Sequence, residues 1–181
     1  MRDEGLRLSK MVAELLSIAR IESGKETLQY GCIDVQELLK VILDAVTPII
    51  ESKGATITYD THDVRQMVGD GEKIRQVLVN LIDNALTFSD EGCIIKIDMQ
   101  RNGRMLDITI TDNGWGIPEE DMPHLTERFY RGKHGDKVKG TGLGLALSQE
   151  IVKMHGGSMS IKSTPGKGTA VTMSIPYREV E

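Results

Sequence analysis

Gln76, Asn80 and Asn84 stand at i, i+4 and i+8 within QVLVNLIDNALTFS (76–89), so on a helix they line one face. Asparagine is a poor helix former because its amide competes for backbone hydrogen bonds, so two at helical spacing call for a reason. One reason is chemical: amide oxygens suit a hard divalent cation, which takes oxygen ligands and keeps some waters. The other is a solvated face or a hydrogen bond to a neighbouring element, and the spacing alone fits both. A second candidate is Asp112-Asn113-Gly114-Trp115-Gly116-Ile117-Pro118, directly after a strand-like run. Its glycines permit positive φ and let a flat ligand approach the backbone. Ionised Asp112 only accepts hydrogen bonds, which suits an exocyclic amine, although the same composition also makes a plain turn. The third is Gly140-Thr141-Gly142-Leu143-Gly144-Leu145, opening a helix, where unencumbered backbone amides and the helix dipole favour an anion. Arg128, Arg131, Lys133, His134, Lys137 and Lys139 precede it. Such a basic run before a glycine-rich helix start points to polyphosphate, or to a solvated loop.

Other chemistries find no support. A dinucleotide fingerprint needs a third glycine where Leu145 stands, and no GxxxxGK[ST] run occurs. There is no Ser/His/Asp signature and no metal-spaced Cys/His cluster; His62, His124, His134 and His155 are scattered. With 22 Lys and Arg against 27 Asp and Glu, a net charge of −5 argues against bulk binding to nucleic acid. Cys32 and Cys93 cannot make a disulfide framework, which favours a reducing, cytoplasmic setting. No run approaches ~18 apolar residues, and the first ten residues have neither an apolar core nor a cleavage site.

The elements that must position these groups are legible from periodicity. Residues 6–22 carry Leu8, Met11, Val12, Leu15, Ile18 and Ala19 as one heptad-like stripe, suited to packing on another helix. A short strand within 26–34 leads to Asp34, an N-cap for a helix bearing Val35, Leu38, Leu39, Ile42 and Val46, bent by Pro48 and stopped by Gly54. Strands follow at 55–60 and 67–70; Asp70 caps a helix over 71–87. Alternating runs at 93–100 and 105–112 flank Arg101-Asn102-Gly103-Arg104, where Asn-Gly signals a hairpin. A helix over 143–156 and a hairpin of 158–164 with 169–175 close the chain. Hairpin-paired strands with helices on one face make a two-layer α+β sandwich. At 181 residues the chain holds one full domain and something small beside it.

Taken together, QVLVNLIDNALTFS, DNGWGIP (112–118), ERFYRG (127–132), GTGLGL (140–145) and GKGT (166–169) resemble, in order and separation, the ATP-binding domain of sensor histidine kinases. LSKMVAELLSIARIESGK (8–25) is similar to the second helix of that family's dimerisation and phosphotransfer hairpin. The resemblance implies a Bergerat-type sandwich with a mixed sheet, residues 1–25 belonging to the hairpin and 26–181 forming the catalytic ATP-binding domain. It implies ATP with magnesium as cofactors, Asn80 and Asn84 as metal-chelating positions, and Asp112 as the adenine-reading carboxylate. Gln76 falls near the γ-phosphate beside Asn80; as an amide it orients groups but is no base. Nucleotide contacts carried over by resemblance are Phe88, Gly114, Gly116 and Ile117, then Phe129, Tyr130 and Arg131 at the start of the ATP lid. Gly140, Thr141, Gly142, Leu143 and Gly144 form the lid's phosphate-facing end, and Thr169 closes the last box.

The same resemblance implies γ-phosphoryl transfer to a histidine and relay to a response regulator, in a homodimeric parent anchored in the cell membrane. No acceptor histidine precedes Leu8. The expectation is therefore a piece that holds ATP and meets its acceptor elsewhere. Three departures stand out: Thr87 where many relatives carry a base that touches phosphate, Thr126 in place of a common phenylalanine, and the bulky Trp115 in the glycine loop. The rival readings are a gyrase- or chaperone-like ATPase and a non-catalytic nucleotide-sensing module.

Overall fold

The computed structural model describes residues 2–135, 138 and 140–178; Lys137 and Lys139 of the basic run lie outside these. Local signals set the element boundaries. Helix α1 is Arg2–Glu22. Strand β1 (Gly31–Asp34) runs into α2 (Val35–Lys53), whose N-cap Asp34 accepts a hydrogen bond from the Glu37 amide at 3.0 Å. Pro48 lies inside α2, which continues to Gly54, left-handed at φ 59 with its amide on the Glu51 and Ile50 carbonyls. After β2 (Thr56–Asp60) and β3 (Gln66–Gly69), Asp70 caps α3 (Gly71–Thr87) by accepting from the Lys73 amide at 3.1 Å. Strands β4 (Ile94–Asn102) and β5 (Met105–Asp112) form the first hairpin. Asn102 pairs with Met105, so the two-residue turn is Gly103-Arg104 with Gly103 at φ 62, one residue later than the Asn-Gly pair predicts. A turn of 3-10 helix (Met122–His124), α4 (Gly144–Met154), β6 (Ser158–Thr164) and β7 (Gly168–Pro176) complete the chain.

The main sheet is five-stranded and mixed, in the order β2-β4-β5-β7-β6, with only β2 and β4 parallel. The short strands β1 and β3, expected within 26–34 and at 67–70, leave it and pair with each other antiparallel. In the main sheet one face is apolar in register: Ile97, Ile110, Val171 and Ile161 stand side by side across four strands. Ile97 and Ile110 are buried against the helical layer. Helix α3 offers Ile74, Val77, Leu78, Leu81 and Ile82 to this core, all at most 2% exposed, each fully buried side chain contributing about 1.5–3 kcal/mol. Helices thus cover one face of the sheet, as the two-layer reading expects.

Helix α1 corrects the single-stripe reading. Met11, Leu15, Ile18 and Ile21 pack on the core, whereas Leu8, Val12 and Leu16 are 54–60% exposed and Ala19 is exposed. At 100° per residue the two groups lie roughly 100° apart, so the apolar arc is wider than one seam and α4 covers only part of it.

Candidate functional site

Two helix faces and two strand ends converge on one open cleft of about 200 Å3. Asn80 and Asn84 project into it from α3. The Asn80 amide donates to Ser148 Oγ of α4 at 2.9 Å, which fixes the side chain and turns its oxygen towards the start of that helix. Gly144 makes this approach possible: a Cβ there would lie 2.1 Å from Asn80 Oδ1. Helix α4 begins at Gly144 without a side-chain cap, so its first amides are open to an anion. Gly140, Thr141 and Gly142 line the same end of the cleft.

At the other end Asp112 is the last residue of β5. Its Oδ1 accepts the amides of Gly114 at 2.8 Å and Thr169 at 3.2 Å, while Oδ2 takes no donor among the described residues. Burial pushes its carboxyl above the ordinary value, against the lowering pull of those two amides. A carboxylate held this way presents a free acceptor to a ligand amine. The floor beside it is the apolar row of Ile110, Val171 and Ile161, a flat surface for a planar ring. Close approach explains the glycines. A Cβ at Gly116 (φ 67) would lie 2.1 Å from the Thr164 carbonyl, and one at Gly168 (φ 101) 1.9 Å from that of Asp112. The Gly166 amide donates to the Trp115 carbonyl at 2.7 Å, so the β6–β7 hairpin tip clasps the loop that follows β5.

Between these ends runs the segment 118–143. Its base is tied by Asp121, which accepts the Tyr130 hydroxyl at 2.6 Å on Oδ1 and the Lys133 amide at 2.9 Å on Oδ2. These bonds hold the Asp121 carboxyl below the ordinary value and push the Tyr130 phenol up to about 12. Arg131 is folded inward, donating to the Gly135 and Val138 carbonyls.

Most expected positions meet here: Asn80, Asn84, Phe88, Asp112, Gly116, Ile117, Tyr130, Arg131 and Thr169 line the cleft with the glycines of 140–144. Four do not. Gln76 sits a turn too early on α3 to reach the cleft lining. Leu143 is fully buried, its apolar side chain spent in the core. Phe129 points outward, 52% exposed, and Gly114 acts through its amide on Asp112. Trp115 finds a role the sequence left open. Its Nε1 donates to Asp90 at 2.7 Å, and its ring lies edge-on to Phe88 and tilted against His134, joining the end of α3 to the lid. Sequence reasoning missed Asp121 because its partners are set by the lid's path. It also missed Lys10 and Glu14 of α1, which line the cleft mouth although that helix reads as a packing element. His155, by contrast, is structural: buried, it takes the Asp70 amide on Nε2 at 3.3 Å.

Among the described residues no cluster of three or more His, Cys, Asp or Glu is placed to hold a metal. Two side-chain amides lining the cleft beside an anion site instead fit a hard cation that arrives with its phosphates, since magnesium is usually held by one or two protein oxygens plus substrate.

Residues 69–179 match the family described as histidine kinase-, DNA gyrase B-, and HSP90-like ATPase. Over 175 residues the chain is 36% identical to the sensor histidine kinase YkoH of Bacillus subtilis, covering 95% of this chain and 37% of that protein. Among solved structures, the histidine kinase AdeS of Acinetobacter baumannii superposes with a TM-score of 0.83 at 25% identity, covering 98% of this chain and 82% of the other. Full-length ShkA in complex with AMPPNP shares the fold, with a TM-score of 0.86 at 22% identity over 99% of this chain and 38% of its own.

Proposed function

This chain belongs to the histidine kinase-, DNA gyrase B-, and HSP90-like ATPase family, as an ATP-binding catalytic domain of the sensor histidine kinase type, and we propose that it transfers the γ-phosphoryl group of ATP to a histidine on a partner helix. The observation that carries this reading is the pairing, in one cleft, of side-chain amides from α3 with a half-buried carboxylate whose Oδ2 is open at the far end.

In this reading Asp112 accepts the exocyclic amine of adenine, and the row Ile110, Val171 and Ile161 supports the ring. The tail runs towards Asn84, Asn80 and the first amides of α4, where helix-end partial charge stabilises phosphate oxygens. Asn80 and Asn84 hold magnesium, which supplies charge neutralisation on the phosphates. Gln76 lies one turn before Asn80 on α3, outside the cleft lining, and Gly114, Phe129 and Leu143 serve the site through backbone and packing. Transfer breaks the bond from the γ-phosphorus to the β–γ bridging oxygen and forms one to an imidazole nitrogen, with ADP as the leaving group. This chain's contribution is positioning, exclusion of water by the lid, and electrostatics.

Helix α1 is the second helix of a dimerisation and phosphotransfer hairpin, residues 1–25, and 26–181 are the catalytic domain. The exposed Leu8, Val12 and Leu16 support this, because an uncovered apolar arc suits a neighbouring helix. The acceptor histidine, a response regulator, homodimerisation and a membrane anchor are proposals for the whole protein, since this chain spans 37% of YkoH. No described helix is long and apolar enough to cross a membrane.

Magnesium-ATP titration by calorimetry tests the site; the expected result is loss of binding in Asn84→Ala and Asp112→Asn, and unchanged binding in both overturns it. Adding a histidine-bearing helical hairpin in trans tests the reaction. Acid-labile label on that histidine supports kinase activity, whereas steady hydrolysis without labelling favours the ATPase reading.

A further inference from the structure

Helix α1 does more than pack against the α/β unit. Glu14 Oε2 accepts the hydroxyl of Thr141 at 2.7 Å, at the phosphate-facing end of the cleft, and Glu22 pairs with Arg128 where the lid begins. These contacts pin α1 along both ends of the lid. Lys10 stands one turn before Glu14 on the same flank and lines the cleft mouth.

The charges around the cleft make Lys10 distinctive. Thr87 puts no cation at the end of α3. The Arg131 guanidinium is spent on the Gly135 and Val138 carbonyls, Arg128 on Glu22, and Lys133 lies 3.8 Å from Glu120. Lys10 has no ion pair or hydrogen bond with any described residue. Meanwhile Glu14, Asp83 and Asp121 add negative charge to the lining. Among the described residues a bound triphosphate therefore meets an acidic rim with the uncommitted Lys10 ammonium beside it, on a stem long enough to swing inward.

We infer that Lys10 is a binding residue for the nucleotide's phosphate tail, so that the ATP site is completed by the helix preceding the α/β unit. This rests on the ATP-binding reading above and adds to it a cation from outside the α/β unit. It also ties nucleotide affinity to the placement of α1: a shift of that helix withdraws the ammonium and releases Thr141 together.

The test is a chemical-shift titration of the full chain, unmodified and as Lys10→Met and Lys10→Arg, with magnesium-ATP and separately with adenosine. Lys10→Met is expected to weaken ATP about fivefold, to flatten its dependence on salt, and to leave adenosine affinity and thermal stability unchanged. Lys10→Arg is expected to stay close to the unmodified chain. Equal ATP affinity in Lys10→Met, or equal loss for ATP and adenosine, overturns the inference while the ATP-binding reading stands. An unmodified chain that binds neither ligand removes that reading and this inference with it.

Discussion

Phe129 and Gly142 close the neck of the lid: the Phe129 amide donates to the Gly142 carbonyl at 2.9 Å, and both residues are left-handed, at φ 65 and φ 72. A Cβ on Gly142 would lie 2.8 Å from the Phe129 Cα, so the two backbones touch. Gly142→Ala is expected to cost about 1–3 kcal/mol locally and to reduce ATP affinity more than global stability. Calorimetric titration beside thermal unfolding separates the two; an unchanged affinity would show that the neck plays no part in binding.

Asp112→Asn places an NH2 group on a side chain whose role is to accept, so ATP binding is expected to fall on the order of 100-fold. Folding stability is expected to hold or rise. Burial raises the folded value above the unfolded one, so ionised Asp112 costs stability at neutral pH, a cost that vanishes as pH falls through the folded value. The same shift makes ATP affinity decline on acidification at a higher pH than an ordinary carboxylate would give. Titrations at a series of pH values, with unfolding measured alongside, check both signs.

Asp121 shows the opposite sign. Its folded value lies below the unfolded one, so its support for the lid is complete above the ordinary carboxylate range and is lost as pH falls through the lowered value. Ultraviolet titration is expected to show one phenol ionising at about 12, and Asp121→Asn to return that component towards an ordinary tyrosine. A titration unaltered by the substitution would remove Asp121 as the lid's anchor.

Trp115 is the sole tryptophan and touches both Phe88 and His134. Its fluorescence is expected to change on adding magnesium-ATP, and not in Asn84→Ala. Emission that ignores nucleotide in a chain that binds it would mean that the lid contact is unaffected by occupancy.

Helix ends and hairpins were legible because their causes are local. Asp34 and Asp70 cap, Gly54 stops, and alternation along β4 and β5 declares the buried face, all within a few residues. The ordered boxes likewise located Asn80, Asn84, Asp112 and the glycines of the cleft. What stayed hidden depends on distant partners. The orientation of Asn80 needs Ser148, the role of Trp115 needs Asp90 and His134, and the reach of Lys10 needs the docking of α1. The stripe of α1 misled for a similar reason, since periodicity gives the apolar arc but not which part of it a neighbour covers.

Asp112 and Thr169 form the terminal rung of the β5–β7 ladder, next but one to the pairing of Ile110 with Val171. Sliding β7 by a single residue would therefore turn its whole inner row outward and carry the Thr169 amide away from the carboxylate. On the proposed reading the choice of base is thus inherited from strand alignment: the greasy side chains that keep the sheet in step also aim the acceptor proposed to tell one purine from another.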